Sequence, residues 1–465
     1  MKILFHVRSD LGYGGISEDA LCLFDLLAEQ EKVILSSLVF EKEEKVTISS
    51  QLRGFIRPII GRFIPIAIKK QIKKILKKRQ KTLLSSCLLE KISQKRMGLW
   101  LNRFKGRIEN GRLSNVRYNK CSNPRDMWMY IGDSSVDFQG WDYVFLPFFL
   151  ESGQLKSNIT YLLRLHDISF ITHSEHFSIN DAKTLEMSLC DTINRKNLIF
   201  ICNSPYSKEQ LEAYSDKVKG RTYVVPCQVS KYDVQKESLT DLKDNIKLSL
   251  SSRYLKKSNQ KKVMRSIESM HGYILVVGAT HARKNYEALL QGWKIHRQQQ
   301  GEKALPLVWV GYDCPDYKGS FIDDVNPFIN SGEIIHLDRV TRHTLNQLFL
   351  NASLFVVASH EEGFSIPPIE ANQFKCPVIA SDIAVHRWVL GEAALFFNPN
   401  DPEKLADCIM QLQFEKEAEH LRQRLISLGV DNAKRFYKEN VELELTKVLE
   451  SIKSNQPCTN MPLFV

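Results

Sequence analysis

The stretch "HEEGFSIPPIEANQFKCPVIASD", residues 360–382, decides the fold of this chain. Two glutamates, Glu362 and Glu370, lie in it with seven residues between them. Glu362 follows the apolar run "SLFVVAS", which predicts a buried parallel strand. Pro367 and Pro368 favour a turn and the start of a helix, where a missing N–H costs little. The pattern predicts a strand, a loop that carries Glu362, and a helix whose first turn carries Glu370.

The two carboxylates allow two interpretations. A carboxylate in the first turn of a helix can accept hydrogen bonds from vicinal hydroxyls such as those of a ribose. The free N–H groups of the same helix end suit phosphate oxygens. In the alternative, Glu362 caps a loop and Glu370 complements the helix dipole. The surrounding "EGFSIPPIEA…PVIASD" favours ligand binding.

Alternating strand and helix patterns extend from this stretch in both directions. The amino-terminal "MKILFHVRS", the glycine loop "DLGYGG" and "ISEDALCLFDLLAEQ" predict a first strand–turn–helix unit. A second such series begins with "YILVVGA" at residue 273. The prediction is an α/β fold of two Rossmann-like, doubly wound domains facing a central cleft.

The domain boundaries follow from these two series. Residues 1–228 are predicted as an N-terminal, acceptor-side Rossmann-like domain with a basic insertion at about 50–130. Residues 229–272, charged and without clear periodicity, are predicted as a connector with some local helix. Residues 273–429 form the predicted C-terminal domain, and 430–465 a final helix near 430–452 and tail that could pack back on the N-terminal domain.

Composition excludes several classes of protein. The 465 residues are 43% hydrophobic and 25% charged, as in ordinary globular proteins, and their number favours two domains. No stretch has the pattern of a signal peptide or a membrane-spanning helix. Ten cysteines without CxxC pairs are expected to be mostly buried, reduced thiols in a cytosol, and they predict no metal site.

The stretch around the two glutamates resembles the E-x7-E signature of retaining GT-B glycosyltransferases of group 1, family 4. The family pattern "EGFGLPPLEAMA…PV-x-A-S" aligns without gaps to this sequence. The resemblance implies that Glu362 contacts the donor sugar at the reacting face and that Glu370 holds the ribose of the nucleotide. It places Gly363, Phe364 and Ser365 in the same donor-binding loop. Ser365 stands where the family usually has glycine, so a close backbone approach to phosphate would be more crowded.

The motif "VVGATHARKNYEALL" resembles the family's "RKN" turn, in which cations face the diphosphate. Arg283 and Lys284 are the matching residues, while Ala279 occupies a position where some relatives carry arginine. A planar guanidinium and a mobile ammonium both suit a departing diphosphate. The alternative is a pair of solvated basic residues, although cations at a helix start oppose its dipole.

Two N-terminal motifs complete the resemblance. "RLHDISF" is similar to the family's "HD-x-SF" segment, which implies that His166 lies near the scissile bond. Asp167 would fix the tautomer of His166 or bind acceptor hydroxyls. Gly14 and Gly15 resemble the "GGI" loop, where the backbone approaches a phosphate or acceptor. In "ICNSPYSKEQL" a serine is expected to cap a helix as a structural feature.

The reaction implied is transfer of a hexose with retained anomeric configuration, by a front-face route in which the departing diphosphate accepts the acceptor's proton. No divalent metal is required, since cations and a helix N-terminus would stabilise that departure. No metal-binding DxD motif stands in a convincing place. "DCPD" at 313–316 is distant from the signature. Closure over the donor is expected to exclude water.

The positive charge is concentrated in one segment. Eleven Lys or Arg and no acidic residue lie between Gln51 and Leu89, which equals the net charge of +11. Isoleucines line one side of "IPIAIKKQIKKILKK" and lysines the other, so residues 53–81 are predicted to lie on an anionic membrane surface. The alternative is a basic helix packed on its own domain. No motif supports nucleic-acid binding.

These observations predict a cytoplasmic glycosyltransferase, peripheral on the inner face of the cytoplasmic membrane. The resemblance favours mannose transfer from GDP-mannose to a lipid-linked or lipopolysaccharide (O-antigen-type) glycan. The alternatives are a UDP- or dTDP-sugar transferase of the same fold and a non-catalytic glycan- or lipid-binding protein.

Overall fold

The computed structural model describes residues 2–8, most of 19–27, 34–42, 113–121, 141–147, 158–311 and 321–454, with short gaps in the last two stretches. Backbone contacts divide the chain into two compact units. Unit 1 comprises Met1–Leu163 and Lys196–Leu198, and unit 2 comprises Arg164–Arg195 and Ile199–Val465. The predicted domain boundaries at 228, 272 and 429 remain a prediction.

Unit 1 is built on parallel strands. They are β1 (Lys2–Arg8), β2 (Ile34–Lys42), β3 (Leu113–Cys121), β4 (Tyr143–Leu146) and β5 (Thr160–Leu165), in the order β3-β2-β1-β4-β5. Parallel strands need crossover connections, and helical residues within 19–27 follow β1. Leu23, Leu26 and Leu27 of that stretch are buried at i, i+3 and i+4. The predicted first strand–turn–helix unit has its strand and helix confirmed.

Unit 2 contains a parallel pair, β6 (Leu198–Cys202) with β7 (Thr222–Val224). It also contains a six-stranded parallel sheet in the order β10-β9-β8-β11-β12-β13. The strands of that sheet are β8 (Ile274–Val277), β9 (Leu307–Val310), β10 (Ile334–Leu337), β11 (Leu354–Val357), β12 (Val378–Ser381) and β13 (Ala394–Phe397). The direction of winding reverses between β8 and β11. Open α/β sheets bind ligands outside the carboxyl ends of the strands at such a switch point.

Helices cover this sheet and the segments before and after it. They are α1 (Ser169–Thr172), α2 (Ile179–Ile193), α3 (Pro205–Tyr214), α4 (Leu239–Leu248), α5 (Gln260–Ser269), α6 (Tyr286–Gln300), α7 (Phe321–Ser331), α8 (Arg342–Asn351), α9 (Ile366–Gln373), α10 (Ala384–Leu390), α11 (Pro402–Gln413), α12 (Ala418–Lys434) and α13 (Lys438–Ser454). The helix predicted after β11 is confirmed as α9, and the predicted alternation of strands and helices is found throughout this sheet.

The segment from 229 to 272 has more order than its charged sequence predicts. Helices α4 and α5 each carry a buried i, i+4 pair, Leu242 with Ile246 and Val263 with Ile267. All four side chains belong to the same apolar cluster as the strands of the six-stranded sheet. The prediction that this segment lacks periodicity was wrong. Two apolar residues per helix are enough to anchor an otherwise polar surface helix.

The final helix predicted near 430–452 is two helices. Helix α12 ends at Lys434 and α13 begins at Lys438, with Phe436 in the turn between them. Phe436 is fully buried, and its carbonyl accepts a hydrogen bond of 2.8 Å from the N–H of Val229. The buried aromatic ring fixes the position of the break. Among the helices in the described stretches, none is long and apolar enough to cross a membrane.

Candidate active site

The loops that follow β8 and β11 meet at the switch point. After β8, a short 3₁₀ turn carries Arg283 and Lys284. Asn285 ends this turn with φ of 54°, and its side-chain amide donates to the carbonyls of Ala358 (3.1 Å) and Pro399 (2.8 Å). The asparagine of the "RKN" motif therefore holds the cationic turn against the loop after β11. Its role was not predicted, although asparagine is enriched at left-handed backbone positions.

Glu362 binds both cations of that turn. One carboxylate oxygen accepts a hydrogen bond of 2.6 Å from Arg283 Nη1. The other accepts from Lys284 Nζ and, at 2.8 Å, from the hydroxyl of Ser359. Glu362 is 4% exposed, so its charge is balanced almost entirely by protein groups. The sequence predicted these three residues for one site, and the structure brings them into direct contact.

The charges of this cluster shift the pKa of each member. Burial opposes ionisation of Glu362, but Lys284 and Arg283 outweigh it and hold the pKa of the carboxyl far below its usual range. Burial likewise opposes the charge on Arg283, yet Glu362 and Asp167 raise its pKa. Burial prevails at Lys284 and lowers its pKa. Glu362 is a carboxylate at neutral pH and can only accept hydrogen bonds.

His166 and Asp167 lie beside the loop of Glu362. The hydroxyl of Ser207 in α3 donates to the carbonyl of His166 at 3.0 Å. A side chain on Gly363 would place its Cβ 2.0 Å from that same carbonyl oxygen, so only glycine fits. Asp167 accepts hydrogen bonds from the N–H (3.1 Å) and hydroxyl (2.5 Å) of Ser169. Its oxygen Oδ1 thus binds the start of α1, a contact not predicted.

The serine cap predicted in "ICNSPYSKEQL" is confirmed. Ser204 precedes α3, and its side chain accepts from the N–H of Ser207 at 3.1 Å. Through Ser207, this capped helix end also holds the backbone of His166.

The residues after Gly363 have different environments. Phe364 is buried edge-on against Trp388 and Phe436. Its ring is therefore part of the core and anchors the loop that follows β11. Ser365 precedes α9 with φ of 71°, a left-handed conformation that glycine adopts at little cost. This explains the glycine in the family pattern. The hydroxyl of Ser365 is 3.3 Å from His386 Nε2.

Glu370 lies in the second turn of α9 and not in the predicted first turn, because the helix begins at Ile366, before the two prolines. It is buried, and it pairs with an arginine that was not predicted. Arg342 Nη1 donates to Glu370 Oε1 at 2.6 Å. The guanidinium lies 5.5 Å from the ring centre of Tyr232, and its side chain is 41% exposed. Arg342 is the first residue of α8. It was not predicted as a site residue because it lies far from Glu370 in the sequence.

Glu361, next to Glu362, was not predicted either. It is 1% exposed and accepts hydrogen bonds from Thr172 Oγ1 (3.0 Å) and Gln210 Nε2 (3.2 Å). His173 Nε2 lies 2.6 Å from its second oxygen. The two adjacent glutamates of the "EE" pair therefore take part in two different hydrogen-bond networks.

Some predicted residues lie outside the described part of the chain. They are Gly14 and Gly15, the "DCPD" motif at 313–316, and the basic segment 53–81.

Comparisons with known proteins bear on the family and the fold of the chain. Residues 271–413 match a family model described as glycosyl transferases group 1. O-antigen chain mannosyltransferase B of Escherichia coli is 26% identical over 308 residues, which cover 64% of this chain and 72% of that protein. The chain is a glycosyltransferase whose residues 271–413 match the group 1 family. This glycosyltransferase is also 32% identical over 143 residues to O-antigen chain mannosyltransferase RfbU of Salmonella typhimurium, covering 30% of the chain and 38% of the relative.

Solved structures show the fold of this glycosyltransferase. HepE of Anabaena, determined in complex with UDP and glucose, has a TM-score of 0.57 at 15% identity, covering 97% of this chain and 100% of HepE. Sucrose-phosphate synthase of Thermosynechococcus elongatus has a TM-score of 0.54 at 14% identity, covering 97% and 99%. The predicted GT-B fold and the predicted glycosyltransferase activity are both confirmed.

Proposed function

We propose that this glycosyltransferase transfers mannose from GDP-mannose to a lipid-linked or lipopolysaccharide glycan of the O-antigen type, with retention of configuration. Two relatives bear the name of O-antigen chain mannosyltransferases. The observation that carries the proposal is the buried cluster of Arg283, Lys284 and Glu362 at the switch point of the sheet.

The cluster suits the departure of a diphosphate. Arg283 and Lys284 carry two positive charges, and Glu362 is the carboxylate that contacts both. Their side chains are 23% and 21% exposed, so an anion can reach both. In such a poorly hydrated position, charges interact more strongly than they do in water. The two cations stabilise the leaving diphosphate, and the reaction needs no divalent metal.

Donor binding exchanges the partners inside this cluster. When a diphosphate takes up the positive charge of Arg283 and Lys284, the carboxylate of Glu362 becomes available to hydroxyls of the donor sugar. A buried carboxylate with no counter-ion is costly, so Glu362 favours a sugar that presents hydroxyl donors to it. His166, on the neighbouring loop, contacts the donor sugar or the acceptor.

Glu370 and Arg342 hold the nucleoside part of the donor. The Glu370 carboxylate accepts from the ribose hydroxyls. Arg342 fixes the orientation of that carboxylate through its 2.6 Å hydrogen bond. Tyr232, in contact with the same guanidinium, adds an aromatic surface beside this pair.

The enzyme works at the cytoplasmic face of the inner membrane in this proposal. The basic segment 53–81, whose sequence pattern would place isoleucines and lysines on opposite sides of a helix, supplies attraction to anionic lipid. Sedimentation with vesicles tests this part. Binding to anionic vesicles but not to neutral ones is expected, and equal recovery with both would contradict it.

A panel of nucleotide sugars tests the donor. Purified enzyme is mixed with GDP-mannose, UDP-sugars and dTDP-sugars, and binding is followed by thermal shift and saturation-transfer NMR. GDP-mannose is expected to give the largest stabilisation, and the response should weaken in Lys284→Met. A selective response to a UDP- or dTDP-sugar would show that the donor is that sugar nucleotide and not GDP-mannose. The absence of a response to every nucleotide sugar would overturn the proposed donor site.

A further inference from the structure

A cluster of histidines and carboxylates lies on the turn after α1, beside the loop of Glu361. His173, Glu175 and His176 present three potential metal-ligand atoms that all lie within 4.8 Å of one another. Glu175 Oε1 is 3.1 Å from His173 Nδ1 and 3.7 Å from His176 Nε2. The reaction proposed above uses none of these three residues.

Two of the three separations between ligand atoms are close to those of a tetrahedral metal ion. With metal–ligand distances of about 2.0–2.1 Å, neighbouring ligand atoms of a tetrahedron lie roughly 3.4 Å apart. The two measured separations, 3.1 and 3.7 Å, fall on either side of that value. The third separation, between the two histidine nitrogens, is within 4.8 Å. The rings are nearly parallel, so one of them rotates when both in-plane lone pairs point to one ion.

The other nitrogen of His173 supplies an independent observation. His173 Nε2 lies 2.6 Å from Glu361 Oε2, and Glu361 is 1% exposed. Histidines that bind metals almost always donate the second ring N–H to a carboxylate, carbonyl or water, which fixes the tautomer and orients the ring. Thr172 and Gln210 hold Glu361 in place, so His173 is oriented with Nδ1 towards Glu175.

The ring of His176 is also oriented. It stacks on His173 with ring centres 5.8 Å apart and planes 8° apart. On its other side His360 lies at 5.7 Å with planes 12° apart. The backbone N–H of His360 in turn donates to the carbonyl of Arg283 at 2.8 Å, which ties this stack to the cationic turn.

We propose that the turn binds one Zn²⁺-type transition metal ion through His173 Nδ1, the Glu175 carboxylate and His176 Nε2, with a solvent oxygen in the fourth position. Two imidazoles favour Zn²⁺ and its neighbours over Mg²⁺ or Ca²⁺, which prefer oxygen ligands. Glu175 and Glu361 together carry the two negative charges that balance the ion. Glu361 acts as a positioning residue. The ion clamps the turn and contributes no charge to diphosphate departure.

Metal binding to the full-length enzyme, after chelation and dialysis, tests the proposal. Co²⁺ is titrated while visible absorption is recorded, because tetrahedral Co²⁺ absorbs strongly, and Zn²⁺ is then added in competition with a chromophoric chelator. One equivalent is expected to bind. His173→Asn and His176→Asn should each lose at least a hundredfold in affinity, and Glu361→Gln tenfold to a hundredfold, the usual effect of removing an outer-shell partner.

Two further variants keep the result interpretable. Glu175 has a side chain 63% exposed, so Glu175→Gln should fold normally yet bind the metal at least tenfold more weakly. His420 is an exposed histidine of α12, and His420→Asn should bind as the wild type does. Failure of the wild type to bind one equivalent would overturn the proposal, as would undiminished binding by His173→Asn and His176→Asn. Donor binding is measured separately, so the two proposals can fail independently.

Discussion

The two glutamates of the signature lie in one loop and helix, yet their surroundings differ. Glu362 is bound by a lysine and an arginine that are mostly buried. Glu370 is bound by Arg342, whose side chain is 41% exposed. The first carboxylate contacts two cations directly, whereas the second contacts one arginine at the edge of solvent. In the function proposed above, the Glu362 site acts on developing charge and the Glu370 site holds a neutral, hydroxyl-bearing part of the donor.

The largest expected effect is at Lys284. Lys284→Met removes one of two cations that stabilise the leaving diphosphate, and we expect kcat to fall by roughly 10²–10³, as for other removed charge-stabilising donors. Initial rates of sugar transfer measure it. Lys404→Met, at an exposed lysine paired with Asp407 at 3.5 Å, is the control. A change in KM with kcat preserved would show that Lys284 only binds the ground state.

A smaller and different effect is expected at Glu370. Glu370→Gln keeps the shape but weakens the hydrogen bonds to ribose, each worth about 1.5–3 kcal/mol when one partner is charged. The KM for the donor should rise about tenfold with little change in kcat. Glu333→Gln is the control, because Glu333 pairs with Arg297 in a comparable surface ion pair. Equal losses of kcat at Glu370 and Lys284 would remove the distinction between the two sites.

The free energy of unfolding should also depend on pH through His386, whose pKa is influenced by burial and by Glu362. Burial is the main cause that lowers the pKa of this histidine from 6.5 to about 4, although Glu362 partly offsets it. Between these pH values the unfolded chain binds a proton that the folded chain does not. The free energy of unfolding therefore falls as the pH falls through this window, by up to about 1.4 kcal/mol per pH unit.

Chemical denaturation at pH 7, 6 and 5 measures this slope in the wild type and in His386→Gln. The variant should have a shallower slope, while His420→Gln should not. Burial also lowers the pKa of His281 and His296 to about 4, so part of the slope remains. Glu362 adds a loss in the same direction, but only below about pH 4.5, since its pKa is depressed from 4.5. An unchanged slope in His386→Gln would show that this histidine is not buried in neutral form.

The smallest effect is expected at Ser365. A left-handed conformation costs an L-residue about 1–2 kcal/mol, and replacement by glycine removes this cost. Glycine also has more conformational freedom in the unfolded chain, which offsets about 0.5–1 kcal/mol of the gain. Ser365→Gly should raise the free energy of unfolding by about 0.5 kcal/mol in a denaturant titration. Lys375→Gly, at an exposed position with φ of 59°, should behave alike. Destabilisation at Ser365 alone would mean that its contact with His386 outweighs the strain.

Much of this molecule was predictable from local pattern. Apolar runs such as "YILVVGA" and "SLFVVAS" have the composition of strands buried on both faces, and they are β8 and β11. Because these strands are neighbours at the switch point, the contact between Arg283 and Glu362 follows from topology. The signature residues themselves were found by their resemblance to a family.

What the sequence did not predict depends on contacts between distant residues. Arg342 lies 28 residues from Glu370, and no local period connects a residue at the start of one helix with a carboxylate on the next. Glu361 stands beside Glu362, but only the fold turns it towards His173. The break at Phe436 was missed because a buried aromatic residue fits a helix and a turn equally well.

The contact between Gly363 and the carbonyl of His166 has a consequence for enzyme engineering. These two loops touch through main-chain atoms and the Ser207 hydroxyl. Main-chain atoms and one hydroxyl thus set the spacing of the two loops. A library built around this contact should retain Gly363 and Ser207, and also Glu362, because its loss would leave two mostly buried cations without their counter-charge.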